Sequence, residues 1–331
     1  MTTGSNPPIT PLQRNLLLAA SIITYLLVTM GGIVCATRST LGCPDWPACF
    51  GQFIPPTQTN AVIEYTHRFI AALTTPLVIA AAVVGWRRSR SIKWISRPPM
   101  IAVVLTFAVI VFGAFAVLTG LPPAVAALDL GSALIVLALM IGTTVIAFAC
   151  RNNPALANSF SLRSPFARLT LWTSGAVFFV LVSAVLVAAS GSLVRCLGWP
   201  LYFDEPLVLN DLRGWLLLAR RVVAGIATLL MVVIVVQAWR TQREKAGIMR
   251  VTSLAVVLFL IESVAGVFIL ANGFVPFLLV IYVAAAAALW AALAALTVMT
   301  GLPRDEQTPG IPVGASAVRT GILTSRAERE R

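Results

Sequence analysis

The chain has 331 residues, of which 59% are apolar and only 11% are charged. A soluble domain carries roughly 25% charge, so this composition excludes an ordinary water-soluble globular protein. The net charge of +12 does not mark a nucleic-acid binder either, because the basic residues are sorted by loop rather than gathered on one face.

Residues 1–14 are polar and read as a cytoplasmic tail. The first apolar stretch, 15–37, is too long for a signal-peptide core and lacks a convincing cleavage site, so it is kept as a helix. An outer loop with Cys43 and Cys49 follows, and the second stretch, 62–86, opens on Glu64 and His67. A basic loop leads to stretches 99–119 and 124–150, joined by a GLPP turn. The second half repeats the plan with stretches 168–190, 214–238, 251–272 and 276–299, the last two joined by an NGFVP turn. Residues 301–331 carry Pro, Gly, Ser and scattered charge and are expected to be a disordered cytoplasmic tail.

Each stretch reaches the roughly 20 residues that a bilayer crossing needs. Backbone groups in lipid must satisfy one another, so the stretches are helices. Barrel strands would alternate apolar and polar residues, and these do not. The predicted fold is all-α, a polytopic membrane protein with eight transmembrane helices in two tandem four-helix bundles, 15–150 and 151–300.

The charge distribution sets the orientation. Of 24 Lys and Arg, 18 lie in the tails and in the loops after even-numbered helices. The loop Trp86–Arg97 holds Arg87, Arg88, Arg90, Lys93 and Arg97, whereas the opposite loops hold only Arg38, Arg195 and Arg213. This positive-inside pattern predicts a multi-pass cell-membrane protein with both termini cytoplasmic.

The two halves match at an offset of 153 residues. Cys43, Trp46 and Pro47 recur as Cys196, Trp199 and Pro200; Arg68 recurs as Arg221; Gly113, Phe115, Gly120 and Pro123 recur as Gly266, Phe268, Gly273 and Pro276. Such self-similarity marks duplicated architecture. What has diverged is also visible. His67, the only histidine, falls on Arg220, and Asp129 falls on Tyr282.

Cys43 and Cys49 bracket Pro44-Asp45-Trp46-Pro47-Ala48 on the oxidising side. A disulfide or two free thiols are both open on this ground. Tyr202 stands where Cys49 would recur, so Cys196 has no local partner and reads as free. Cys35 and Cys150, in or beside helices, read as packing residues. No second cysteine pair or histidine cluster suggests zinc.

Polar groups inside a bilayer are costly and are functional candidates by default. Glu64 and His67 share one face of the second helix, and Arg68, four residues after Glu64, can pair with it. A neutral imidazole in an apolar bundle suits haem iron; the alternative is a histidine that only hydrogen-bonds across helices. Asp129 in helix four, Arg220 in helix six, Glu262 in helix seven and Tyr282 in helix eight complete the set. Glu262 is expected to pair with Arg220 or Arg221, or to hydrogen-bond across the bundle. Taken singly, these four are more often structural than catalytic. Their equivalent places in equivalent bundles raise the odds of function.

With these residues placed, the chain resembles the haem A synthase family of the CtaA type. The matching elements are Met30-Gly31-Gly32, Leu41-Gly42-Cys43-Pro44-Asp45-Trp46-Pro47-Ala48-Cys49, Glu64-Tyr65-Thr66-His67-Arg68, Arg97, and Leu118-Thr119-Gly120-Leu121-Pro122-Pro123. They cover roughly residues 15–300. The resemblance implies eight helices in two halves, and oxidation of the haem O methyl group to the formyl of haem A. The first half then holds haem O and the second a haem B that passes electrons. It further implies that Glu64 is the catalytic acid, that His67 ligates the substrate iron, and that Cys43 and Cys49 are the loop pair.

Three axial positions depart from the family pattern. Asp129 stands at the second substrate-site histidine, and Arg220 and Tyr282 at the two haem B histidines. Arginine stays protonated and cannot ligate iron, so a bis-histidine haem in the second half is excluded. One reading keeps the enzyme: His67 holds the substrate from one side, Glu64 and Asp129 act as acid or base, and Tyr282 beside Arg220 serves as a phenolate ligand of an unusual second haem. On this reading Arg68, Arg220 and Tyr282 belong with His67 and Asp129 to the haem-binding set. The other reading is a non-catalytic assembly factor that binds haem or a partner such as a haem O synthase or cytochrome oxidase subunits; self-association is also open. A transporter is a third class, but its pathway needs more intramembrane polarity than this chain has.

Overall fold

A computed structural model describes residues 9–187, 207–272 and 275–303. The architecture is all-α. Eight helices are long and apolar enough to cross a membrane: α1 Pro11–Ala36, α2 Thr59–Arg88, α3 Lys93–Leu118, α4 Pro123–Ala149, α5 Pro165–Val187, α6 Leu212–Thr241, α7 Ala246–Asn272 and α8 Pro276–Gly301. A short 3₁₀ turn, Pro154–Ser159, lies between α4 and α5. No strand occurs among the described residues.

Sequence explains most helix ends. Thr10 caps α1 by accepting the Gln13 N–H at 3.3 Å, with Pro11 in the first turn, where its missing N–H costs nothing. Pro123 and Pro276 open α4 and α8 in the same way. Asp211 caps α6 by accepting the Gly214 N–H at 2.8 Å. The connection from α3 to α4 turns through positive φ at Gly120 and Leu121.

In the first half, α1 and α3 each pack against both α2 and α4; in the second, α5 and α7 each pack against both α6 and α8. The seam between them joins α4 to α5 and α8, and α1 to α8. Small residues let backbones approach in lipid. Buried Ala285, Ala286, Ala287, Ala292 and Ala294 give α8 such a surface, and Gly32 of α1 leaves room for Val283, which a β-carbon would overlap. Among the described residues, two hydrogen bonds join α-helices across the seam. Trp290 donates its indole N–H to the Leu134 carbonyl at 2.8 Å, and Tyr25 donates its hydroxyl to the Ala284 carbonyl at 3.1 Å.

Hydroxyl pairs tie the first and fourth helices of each half. Ser21 and Thr144 meet at 2.8 Å, and Ser174 and Thr297 at 3.1 Å. The second pair stands at the first pair's numbers plus 153.

Candidate functional site at the N-terminal end of α2

The connection from α1 to α2 is built on a disulfide. Cys43 and Cys49 are joined, with Cα atoms 4.8 Å apart, and both are fully buried. The open question of thiols or disulfide is thus decided in favour of the bond. Cys150 is buried, as a packing residue should be. Cys35 corrects the expectation: it is disulfide-bonded, not a packing thiol. Cys196, expected to be free, lies outside the described residues.

Charged groups organise the loop from both sides. Asp45 accepts the backbone N–H groups of Phe50 at 2.6 Å and Gly51 at 2.7 Å. The Gly51 N–H, with that of Phe50, holds the Asp45 carboxyl below its ordinary value of 3.8. Gly42 lies directly on the first turn of α2, where a β-carbon would overlap the Asn60 carbonyl. From α2, Arg68 donates Nη1 to the carbonyls of Asp45 at 2.6 Å and Ala48 at 2.5 Å. Its Nη2 donates to the Cys43 carbonyl at 3.4 Å and to Glu64 Oε1 at 2.5 Å. Glu64 Oε2 accepts the Cys43 N–H at 2.8 Å. Both Glu64 oxygens are therefore engaged, and the side chain is 3% exposed. The expected Glu64–Arg68 pair is present, but Arg68 spends its remaining donors on the loop.

His67, three residues further on, faces α1. A β-carbon on Gly31 would sit 3.2 Å from His67 Cε1 and 3.8 Å from Nδ1. The imidazole thus rests against a helix backbone that only glycine leaves bare. Nδ1 is buried and has no hydrogen-bond partner, which a merely structural histidine would have. The twin-glycine element carried this signal in the sequence, but a glycine's partner on another helix is not readable from spacing. On α4, Asp129 has a buried Oδ1 with no partner, and Gly113 of α3 stands next to it, its β-carbon position 3.9 Å away.

The second half is built differently. Arg220 is 2% exposed and Tyr282 0%; Arg220 donates Nε to the Val180 carbonyl at 3.4 Å. Glu262 is also buried. Its Oε1 has no hydrogen-bond partner.

Fold and site together define a polytopic membrane protein with a histidine whose Nδ1 is buried, beside a disulfide-bonded loop. The family model COX15-CtaA, described as cytochrome oxidase assembly protein, matches residues 14–62 and 57–214, and the chain belongs to this family. It is 29% identical over 273 residues to the heme A synthase of Geobacillus thermodenitrificans, covering 77% of this chain and 82% of the relative. It is 28% identical over 256 residues to the heme A synthase of Shouchella clausii, covering 75% and 83%. The heme A synthase of Staphylococcus aureus strain Newman is 26% identical over 259 residues, covering 77% and 85%.

Proposed function

We propose that the chain is a haem A synthase-type oxidoreductase that converts the methyl group of haem O to the formyl of haem A, for assembly of cytochrome oxidase. The observation that carries this is His67: a buried imidazole nitrogen without a partner, seated on bare Gly31, in a chain of this family. A neutral imidazole with a free nitrogen is a haem ligand in waiting, so the first half fits its substrate. Haem O supplies an iron at which oxidising chemistry takes place. His67 holds that iron and orients the ring. Asp129, with its unpartnered oxygen, is a proton acceptor or donor in the same half. Glu64 is the catalytic acid, about 4.5 Å along the helix axis from His67 at ~1.5 Å rise per residue. Its carboxylate is fixed by Arg68 and the Cys43 N–H.

The second half does not fit a bis-histidine haem B. A buried arginine and a tyrosine stand at the expected ligand positions, and no step is assigned to a haem there. Oxidising a methyl group to a formyl group removes electrons from haem O, so the reaction requires an external oxidant of the dioxygen class, with a separate electron donor in place of a second-half haem. The matched hydroxyl pairs of α1 with α4 and α5 with α8 support a duplicated plan of two four-helix halves, 15–150 and 151–300. The basic loops support cytoplasmic termini.

Arg220 and Tyr282 also favour a second reading, an assembly factor that binds haem or a partner without turnover. Co-expression with a haem O synthase, followed by chromatography of the extracted haems, separates the two. The unmutated chain should yield haem A. Glu64→Gln, which keeps an oxygen for the Cys43 N–H, should retain haem O and yield no haem A. Haem O alone from the unmutated chain, with a competent electron donor present, would leave the assembly-factor reading.

A further inference from the structure

Arg68 binds the loop and the carboxylate at once. Three loop carbonyls, those of Cys43, Asp45 and Ala48, converge on its two terminal nitrogens, and Glu64 closes the ring of acceptors. These carbonyls belong to no helix or sheet, so each needs a donor from elsewhere. A guanidinium is planar and presents several donors in fixed directions, which suits this convergence; an ammonium is a point charge on a flexible stem. Glu64 is tied from the other side by the Cys43 N–H. The carboxylate, the guanidinium and the disulfide-closed loop therefore form one unit. The unit rests directly on the start of α2, because Gly42 touches the Asn60 backbone. Arg68 is only 13% exposed in its side chain, yet it lies toward the N-terminal end of its helix, within reach of small solutes.

We propose that Arg68 is a positioning residue for the reaction: it holds the Glu64 carboxylate in the place and orientation that proton transfer requires, using the disulfide-closed loop as its anchor. The inference rests on the oxidoreductase reading above and deepens it. It also differs from a simpler role, in which Arg68 fastens the loop and Glu64 needs no help. A carboxylate set by a side chain that itself makes three other bonds is fixed in direction as well as in distance. A misplacement of about 1 Å at such a group costs roughly 10²-fold in rate.

The test uses the full-length protein in membranes, unmutated and as Arg68→Lys and Arg68→Ala. Three quantities are read: haem O occupancy, haem A formation, and the rate at which a water-soluble phosphine reduces Cys43–Cys49. Haem O occupancy should stay within about twofold, because His67 is untouched, while haem A formation falls roughly 10²-fold in both variants. Reduction of the disulfide should speed up, because the buried sulfurs lose their cover. Added guanidinium should restore haem A formation to Arg68→Ala and not to Arg68→Lys, since the lysine stem fills the space. Faster reduction with undiminished haem A formation overturns the inference, because Arg68 is then a loop fastener alone. Loss of haem O from the variants overturns it too, because Arg68 then holds substrate rather than Glu64. An unmutated chain that makes no haem A overturns the oxidoreductase reading and this inference together. An active unmutated chain with active variants overturns this inference only.

Discussion

Alanine at Gly31, Gly32 and Gly175 makes one covalent change, a methyl on a membrane helix, in three different surroundings. At Gly175 of α5 nothing lies within 4 Å of the new carbon, so the change should bring only the helix preference of Ala over Gly, a stabilisation of about 0.5–1 kcal/mol. At Gly32 the carbon overlaps Val283 Cγ1, with the rest of that side chain at 3.4–3.5 Å. Val283 is 6% exposed and, being branched at Cβ, has no long arm to swing aside. α1 and α8 must part, and overpacking of this kind costs about 1–3 kcal/mol. At Gly31 the carbon stands 3.2 Å from His67 Cε1, closer than the ~3.5–4.0 Å optimum between carbons. The imidazole must retreat by a few tenths of an ångström, and Gly31→Val enlarges the displacement. Thermal unfolding in detergent and haem content by pyridine haemochrome read the two effects separately. Gly32→Ala should melt several degrees below Gly175→Ala, at roughly 2–4 °C per kcal/mol for a domain of this order of size. Gly31→Ala should melt near the unmutated protein, and Gly31→Val should lose most of its haem. Equal melting of Gly32→Ala and Gly175→Ala would refute the tight α1–α8 contact, and full haem content in Gly31→Val would refute the cradle.

Further outcomes follow from the same geometry. His67→Ala should abolish haem binding in the first half, and the unmutated protein should never give a bis-histidine low-spin spectrum from one chain, since His67 is its only histidine; undiminished haem in the variant would move the ligand elsewhere, Tyr282 first. Cysteines placed in the loop 87–97 should resist an impermeant thiol reagent in intact cells, and their labelling would reverse the proposed orientation. Because backbone N–H groups hold Asp45 below 3.8, its support of the loop is complete above that pH and is lost as acid protonates it. Reduction of Cys43–Cys49 by phosphine should therefore accelerate below about pH 3.8, and Asp45→Asn should remove that acid step; a pH-independent rate in the unmutated protein would show that Asp45 does not brace the loop.

Hydropathy alone located all eight helices, because lipid leaves the backbone no other choice. It missed where some begin. α2 starts at Thr59 rather than near 62, since Asn60 is pressed under Gly42 and the loop. α3 starts at Lys93 rather than near 99: Ile92, Ile95 and Ser96 are buried, while its basic residues and paired prolines hide the helix from a hydropathy scan. Glu64, His67 and Arg68 were legible as a group because one helix carries them. What each touches was not. The three carbonyls on Arg68 come from a loop about twenty residues away, and the Gly31–His67 contact joins two helices.

The seam between the halves rests on a tyrosine and a tryptophan, and both donate to backbone carbonyls, those of Ala284 and Leu134. A carbonyl is supplied by any residue that keeps the helix in place. Ala284 and Leu134 can therefore drift through other small or apolar types without losing either bond, whereas Tyr25 and Trp290 cannot. For these two bonds the side-chain requirement thus falls on the donor alone, with each half contributing one donor. Two groups of helices that carry residues as different as His67 and Arg220 can remain mated, because neither bond depends on an acceptor side chain.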